Sequence, residues 1–326
     1  MPETKGNPAM SDLETALVLA GGLSHERDVS LRSGRRVAEA LRGIGLDVQE
    51  RDADSVLLTQ LDQDPPPAVF PLLHGSAGED GAIREVLELI GVPYVGSRPA
   101  ACRAAFDKRI AKRLVRGAGV RTPESLALPH DTFRELGAEV LLRKIVDRLG
   151  LPLVVKPARG GSALGCTVVR AAEELPSAMV GCFAYDESAL VERYVDGVEV
   201  AVGVLDTGSG PFALPAVEIS PDSGVYDYAS RYNPGATEFF VPARLSAEVS
   251  EACARAALAA HRALGLEDLS RTDLIVGADG TPWFLEVNVA PGMTPTSLVP
   301  LALESAGLDL GVLCRDLLQN AAARFT

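Results

Sequence analysis

Two acids and an amide, Asp273, Glu286 and Asn288, sit on strand-like runs that flank a tight turn signal. In SRTDLIVGADGTPWFLEVN, residues 270–288, the dipeptide Asp279-Gly280 predicts a two-residue hairpin loop between Leu274–Val276 and Trp283–Val287. That loop pairs Asp273 with Glu286 and Arg271 with Asn288, and alternation puts all four side chains on one face. Directly opposed acids have Cβ atoms about 4.5–5.5 Å apart and repel, so the pair needs a cation. An all-oxygen set of Asp, Glu and Asn suits a hard ion such as Mg²⁺, which shares its remaining positions with water or phosphate. An ion pair bridged by Arg271 at a strand end is the alternative reading. On the same register Ile275 and Phe284 extend the site face. Leu274, Val276, Trp283, Leu285 and Val287 make the other face apolar, so the hairpin reads as an interior platform.

A second chemical signal lies in the basic residues. Of 31 lysines and arginines only five are lysines: Lys5, Lys108, Lys112, Lys144 and Lys156. Lys156 stands inside the apolar run LPLVVKP, where a compact ammonium aimed at phosphate is one reading and a strand-end lysine with its head in water is the other. The stretch from Ala158 to Gly165, ARGGSALG, is a glycine-rich loop between the strand-like segments LPLVV and CTVV. Backbone N–H groups in such loops can cradle phosphate oxygens. It is neither a Walker A sequence nor a dinucleotide fingerprint; alone it reads as an ordinary mobile loop, and beside a Mg²⁺ candidate as a flap over ATP phosphates.

The elements that must position these groups are legible around them. ALVLAGGLSHERDVSLRSGRRVAEALRGIGLDV reads as strand, glycine turn, amphipathic helix and strand, and AVFPLLHGSAGEDGAIREVLELIGVPYVG repeats the pattern. Such βαβ units predict a parallel sheet with ligand groups on the loops after the strands, where Glu26 and His74 lie. Taken separately, Glu26 is a helix-start carboxylate favoured by the dipole and His74 a turn histidine. DQDPPPAV at 62–69 reads as a short loop before a strand. Residues 245–264 read as an Ala-rich amphipathic helix packed on the C-terminal sheet.

Composition bounds the function. The chain has 326 residues, 47% hydrophobic and 23% charged, which suits a globular fold of two or three domains. A net charge of −13 argues against nucleic acid as the main partner. No apolar run is long enough to span a membrane. The N-terminal MPETKGNPAMSDLET lacks a signal-peptide core and reads as a flexible extension over 1–12. Cys102, Cys166, Cys182, Cys253 and Cys314 are odd in number and lack C-x-x-C spacing, which predicts buried thiols in a reducing cytoplasm.

Eight stretches, taken in order, carry a family resemblance over nearly the whole chain: GGLSHERDVSLRSG, HGSAGEDG, Phe106-Asp107-Lys108, VVKPARGGSALG, LVERYVDGVEV, GVYDYASRY, SRTDL and FLEVNVAPGMTPTSL. The chain resembles a D-alanine–D-alanine ligase of the ATP-grasp superfamily. The resemblance implies an α/β fold, α+β in its ATP-binding part. Three domains are expected: 13–97 with a Rossmann-like parallel sheet for substrate, 98–196 with the flap, and 197–326 with the metal site. It implies ATP as a substrate and two Mg²⁺ ions, with Mn²⁺ as a substitute, held by Asp273, Glu286 and Asn288. Lys108 and Lys156 match phosphate-binding lysines, and Arg231 stands where another lysine is usual. Glu192 and Glu199 match adenosine-holding positions, Glu199 at the ribose. Glu26 resembles the acid that receives the first D-alanine's ammonium, with Val29 and His74 nearby. Ser162 and Tyr232 resemble a pair that links the flap to a second loop, and Ser297 and Leu298 match the segment that receives the second substrate's carboxylate. A cytoplasmic homodimer is implied as well.

The chemistry so implied is phosphoryl transfer to a carboxylate, attack by a second amine on the acyl phosphate, and stabilisation of the oxyanion by Arg271. The cysteines would be bystanders. Four departures from the family pattern bear on substrate choice: Val289-Ala290 in the EVNVAPG block, Arg231 for lysine, Ala163 in the flap, and His25 before Glu26. The acceptor could instead be D-lactate or D-serine, although Tyr232 favours an amino acid. A non-catalytic ATP-binding regulator is the reading from another class, and the full Asp273–Glu286–Asn288 set speaks against it.

Overall fold

The run TALVLA becomes β1 (Thr15–Ala20), buried from Ala16 onward. A strand apolar on both faces belongs inside a parallel sheet, and β1 is central there, between β2 (Asp47–Asp52) and β3 (Val69–Pro71). The computed structural model describes residues 13–222 and 235–325; the expected extension over 1–12 lies outside them. The helix Arg27–Gly43 crosses from β1 to β2 and buries Val37, Ala38 and Leu41 on one face of the sheet. Leu17 and Leu19 enter the other face with Leu57, Leu61 and Leu87.

A second sheet has the order β4-β7-β5-β6 and is antiparallel: β4 (Ser125–Pro129), β5 (Leu153–Pro157), β6 (Thr167–Val169) and β7 (Ser188–Arg193). β5 and β6 are the segments expected on either side of the glycine-rich loop. The helices Ala138–Leu149 and Leu175–Phe183 cover this sheet.

The third sheet has the order β11-β10-β8-β12-β13, with β9 also on β8. Its strands are β8 (Gly197–Leu205), β9 (Phe212–Ala213), β10 (Val217–Pro221), β11 (Thr237–Phe240), β12 (Leu269–Gly277) and β13 (Pro282–Asn288). The Ala-rich segment forms the helix Ala247–Ala263, capped by Ser246, and buries Ala256, Ala257 and Ala260 on one face. The helices Pro99–Phe106 and Lys108–Gly117 enter that same core through Cys102, Ala105, Ala111 and Val115. On the opposite face Ala201, Leu205 and Val217 share one core with Val18, Phe70 and Leu317, so the first and third sheets are welded together.

The β12–β13 hairpin corrects one expectation. Gly277 N–H donates to Thr281 O at 2.9 Å, which leaves a three-residue loop, Ala278-Asp279-Gly280. Gly280 takes φ +76, a left-handed conformation that glycine adopts without a Cβ clash. Leu274 pairs with Phe284 near the turn, and a bulge between Asp273 and Leu274 shifts the register by one. Beyond it Asp273 pairs with Glu286 and Arg271 with Asn288, as expected, because the longer loop and the bulge cancel. Between them the faces change. Phe284 turns into the core beside Leu274 and Val276, whereas Ile275 and Leu285 line a cavity with Asp273 and Glu286.

Candidate active site

Two cavities meet over the end of this hairpin. One, about 370 Å³, lies between the second and third sheets and is lined by Lys156, Glu192, Glu199 and Asp273. The other, about 530 Å³, lies toward the first sheet and is lined by Glu26, His74, Arg271, Asn288 and Ser297. Lys108, Gly160, Gly161 and Glu286 belong to both walls. Lys108 and Glu286, 3.4 Å apart, thus stand where the two cavities adjoin.

In the first cavity Lys156 ends β5 and reaches Glu192 on β7, Nζ to Oε1 at 2.5 Å. Lys112, absent from the expected site, approaches the other oxygen of Glu192 at 2.7 Å and donates to Phe284 O at 3.2 Å. Burial works to raise Glu192, but the two ammonium groups, Lys112 first, outweigh it and hold the carboxyl below its ordinary range. Burial draws Lys112 down to about 8. It acts on Lys156 too, where the Glu192 charge outweighs it and raises the ammonium above the usual lysine range. The scarcity of lysine pointed equally to Lys112, but its place in an amphipathic helix hid it. Cys166, expected to be buried, is half-buried and lines this cavity, and burial pushes its thiol up.

The flap between β5 and β6 is anchored at its root. Lys108 N–H donates to Ala158 O, and Lys108 Nζ donates to Gly160 O at 2.6 Å. Asp107 binds Arg109 and also accepts from Arg159 Nε at 3.2 Å. Burial works against the Asp107 charge, yet Arg109 and Arg159 bring its carboxyl down to about 2. Lys108 Nζ also lies 3.4 Å from Glu286. Ser162 and Ala163 take φ +53 and +55, a left-handed conformation unusual for non-glycine residues and concentrated at functional sites. There Ser162 Oγ donates to Glu26 Oε1. Glu26 occupies the N-cap position of the helix Arg27–Gly43 without capping it, so its carboxylate serves the flap instead of the helix.

The second cavity is tied together by His74. Ala290 O can only accept, so His74 Nδ1 donates to it, at 3.0 Å. Burial lowers the His74 pKa, against the opposing charge of Glu26, so the ring is neutral and Nε2 accepts from Ser33 Oγ at 3.2 Å. Ser33 Oγ in turn accepts from Met293 N–H at 3.0 Å. This chain pins the 289–293 segment to the first sheet's helix. Val29, Ser297 and Leu298 stand beside it, with Leu298 opening the helix Leu298–Ser305. Glu79 is a second residue the expected site lacked. It lines the cavity, accepts from Gly75 N–H at 3.1 Å, and is pushed up to about 8 by burial and then by Glu26. Its place in the HGSAGEDG stretch was visible; its burial was not.

At the hairpin end Arg271 grips Asp273 with two bonds, Nε to Oδ1 at 2.7 Å and a terminal nitrogen to Oδ2 at 2.8 Å. Asn288 Oδ1 accepts from Ala290 N–H. Among the described residues no group of three His, Cys, Asp or Glu side chains forms a metal cage. An ion here would depend on the amide and on ligands from outside the protein. Arg231 and Tyr232 lie outside the described residues.

Family models match two parts of the chain: "D-ala D-ala ligase N-terminus" over residues 45–97 and "D-ala D-ala ligase C-terminus" over 114–319. The chain belongs to the D-alanine–D-alanine ligase family. A D-alanine–D-alanine ligase of Bordetella avium is 41% identical over 307 residues, 94% of each chain. One from Anaeromyxobacter dehalogenans is 42% identical over 94% of this chain and 96% of its own. The family's ATP-grasp fold is shared with solved structures. A D-alanine–D-alanine ligase from Bacillus anthracis complexed with ATP superposes with a TM-score of 0.79 at 30% identity, covering 95% of this chain and 98% of that one. The VanG D-Ala:D-Ser ligase from Enterococcus faecalis gives 0.80 at 28% identity, covering 96% and 99%. Ligases named for a D-alanine and for a D-serine acceptor therefore share this fold. Among the described residues no helix is long and apolar enough to cross a membrane.

Proposed function

We propose that the protein joins two D-alanines, using ATP and passing through an acyl phosphate, to give D-alanyl-D-alanine for peptidoglycan precursor synthesis. The observation that carries this reading is the meeting of the two cavities between Lys108 and Glu286, beneath a flap that reaches Glu26. One cavity takes ATP, with Glu192 and Glu199 at the adenosine and Lys156, Lys108 and Arg231 at the phosphates. The other takes the amino acids. The first D-alanine sets its ammonium against Glu26, beside Val29 and His74, and its carboxylate at the junction.

A carboxylate is a poor electrophile, and transfer of the γ-phosphoryl group makes its carbon attackable. The second D-alanine lays its carboxylate at Ser297 and Leu298, where the first turn of a helix favours an anion. Its amine, having lost a proton, attacks the acyl carbon; the oxyanion that forms is met by Arg271, and its collapse breaks the C–O bond and releases phosphate. Ser162 and Tyr232 close the loops so that water does not intercept the acyl phosphate.

The hairpin end fits a hard cation, since Asp273 and Glu286 are a direct cross-strand pair and Arg271 and Lys108 now supply positive charge against them. When bound, two Mg²⁺ ions, or Mn²⁺ in their place, would be held by Asp273, Glu286 and Asn288 and would neutralise phosphate charge. The reading takes the chain as a cytoplasmic homodimer of three units, 13–97, 98–196 and 197–326. D-Alanine labelled with ¹⁸O in its carboxylate tests the route. Phosphate released during turnover should carry one labelled oxygen from the substrate, and unlabelled phosphate beside labelled dipeptide would exclude an acyl phosphate.

A further inference from the structure

Lys112 belongs to neither cavity wall, and its side chain is 3% exposed. It lies on the core side of Glu192, and Lys156 lies on the cavity side. One carboxylate thus faces two ammonium groups, and the cluster carries one surplus positive charge. Lys112 also holds Phe284 O, on the strand that carries Glu286, so it joins the second sheet to the third. Its ammonium sits 6.0 Å from the centre of the Phe284 ring, in a site closed to water. A buried lysine needs a reason, because an ammonium is among the costliest groups to desolvate.

We propose that Lys112 is a positioning residue for the nucleotide phosphates: by neutralising Glu192 from the core side, it leaves the Lys156 charge available to the cavity. Without Lys112, Glu192 and Lys156 form a closed neutral pair, and a phosphate approaching Lys156 meets the full Glu192 charge behind it. With Lys112 present the approach is to a net cation. The proposal rests on the first cavity being the ATP site. It predicts a defect larger for ATP than for adenosine, since Lys112 lines neither cavity and the charge it frees faces the phosphates.

The test compares ATP with adenosine, both measured by calorimetry on the full chain. Lys112→Met should weaken ATP by about tenfold or more while adenosine changes by less than about threefold. The KM for ATP should rise and the KM for D-alanine should not. The double variant Lys112→Met/Glu192→Gln removes one charge of each sign and restores the surplus. It should return the ATP-to-adenosine ratio to within about threefold of the unsubstituted protein. Equal losses for ATP and adenosine in the single variant would overturn the proposal. So would a selective tenfold loss of ATP that persists in the double variant. The double variant buries no unpaired acid, so a selective loss of ATP in it still overturns the proposal if the single variant fails to fold. Failure of the unsubstituted protein to bind ATP at all would instead remove the ATP-site assignment.

Discussion

Ser162 Oγ donates a hydrogen bond to Glu26, a residue 136 positions earlier in the chain, and thereby fastens the glycine-rich flap to the wall of the second cavity. The left-handed backbone at Ser162 is held against its own preference by this contact and by the anchored flap root. Ser162→Ala should raise the KM for D-alanine and lower kcat by about tenfold to a hundredfold, through loss of loop closure. Steady-state kinetics with D-alanine varied would show it, and unchanged constants would separate the flap contact from turnover.

Arg271 grips Asp273 on the face that also carries Asn288, and the proposed mechanism gives it the oxyanion. Arg271→Met should lower kcat by on the order of 10²–10³, the usual cost of losing such a donor. ATP affinity, measured separately, should change little. A loss of ATP binding equal to the loss of rate would assign Arg271 to the nucleotide instead.

Glu79 gives the protein a pH signature. Its pKa is about 8 when folded, against 4.5 ordinarily, so between these values only the folded state keeps the proton. Its contribution to stability is fully present below 4.5 and is lost as pH rises toward 8. Glu79→Gln imitates the protonated form and does not titrate. Its melting temperature should gain on the unsubstituted protein as pH rises from about 5 to about 8 and then stay level. A constant difference across that range would show that Glu79 is ionised in the fold.

The bulge in the hairpin makes a contrast between neighbours. Phe284→Ala empties a fully buried core position and should cost about 3–5 kcal/mol in urea unfolding. Ile275→Ala should cost less and act on the ATP KM, because Ile275 lines the cavity proposed to take ATP. Similar stability losses for both would restore the regular register.

Much of this was legible in the sequence. The parallel sheet followed from the apolar run Ala16–Leu19 and the helix after it, and the flap from glycines between two β-branched segments. The facing of Asp273 and Glu286 was read correctly from a loop one residue too short. Turn dipeptides do not distinguish a two-residue loop from a three-residue loop with a bulge, and only tertiary pairing fixes Phe284 in the core. Lys112 and Glu79 escaped because burial of a charge depends on three elements converging, which no local pattern encodes. The Glu26–Ser162 contact was not legible: the family resemblance paired Ser162 with Tyr232, and nothing local joins residues 136 positions apart.

Phosphate release from ATP and Mg²⁺ by the purified protein, with product masses read alongside, decides whether D-alanine is joined to D-alanine. Pairs to compare are D-alanine alone, L-alanine alone, and D-alanine with D-serine or D-lactate. Release is expected with D-alanine alone together with the D-alanyl-D-alanine mass, and none with L-alanine. Release that requires a mixed pair, or no release while ATP still binds, would contradict it.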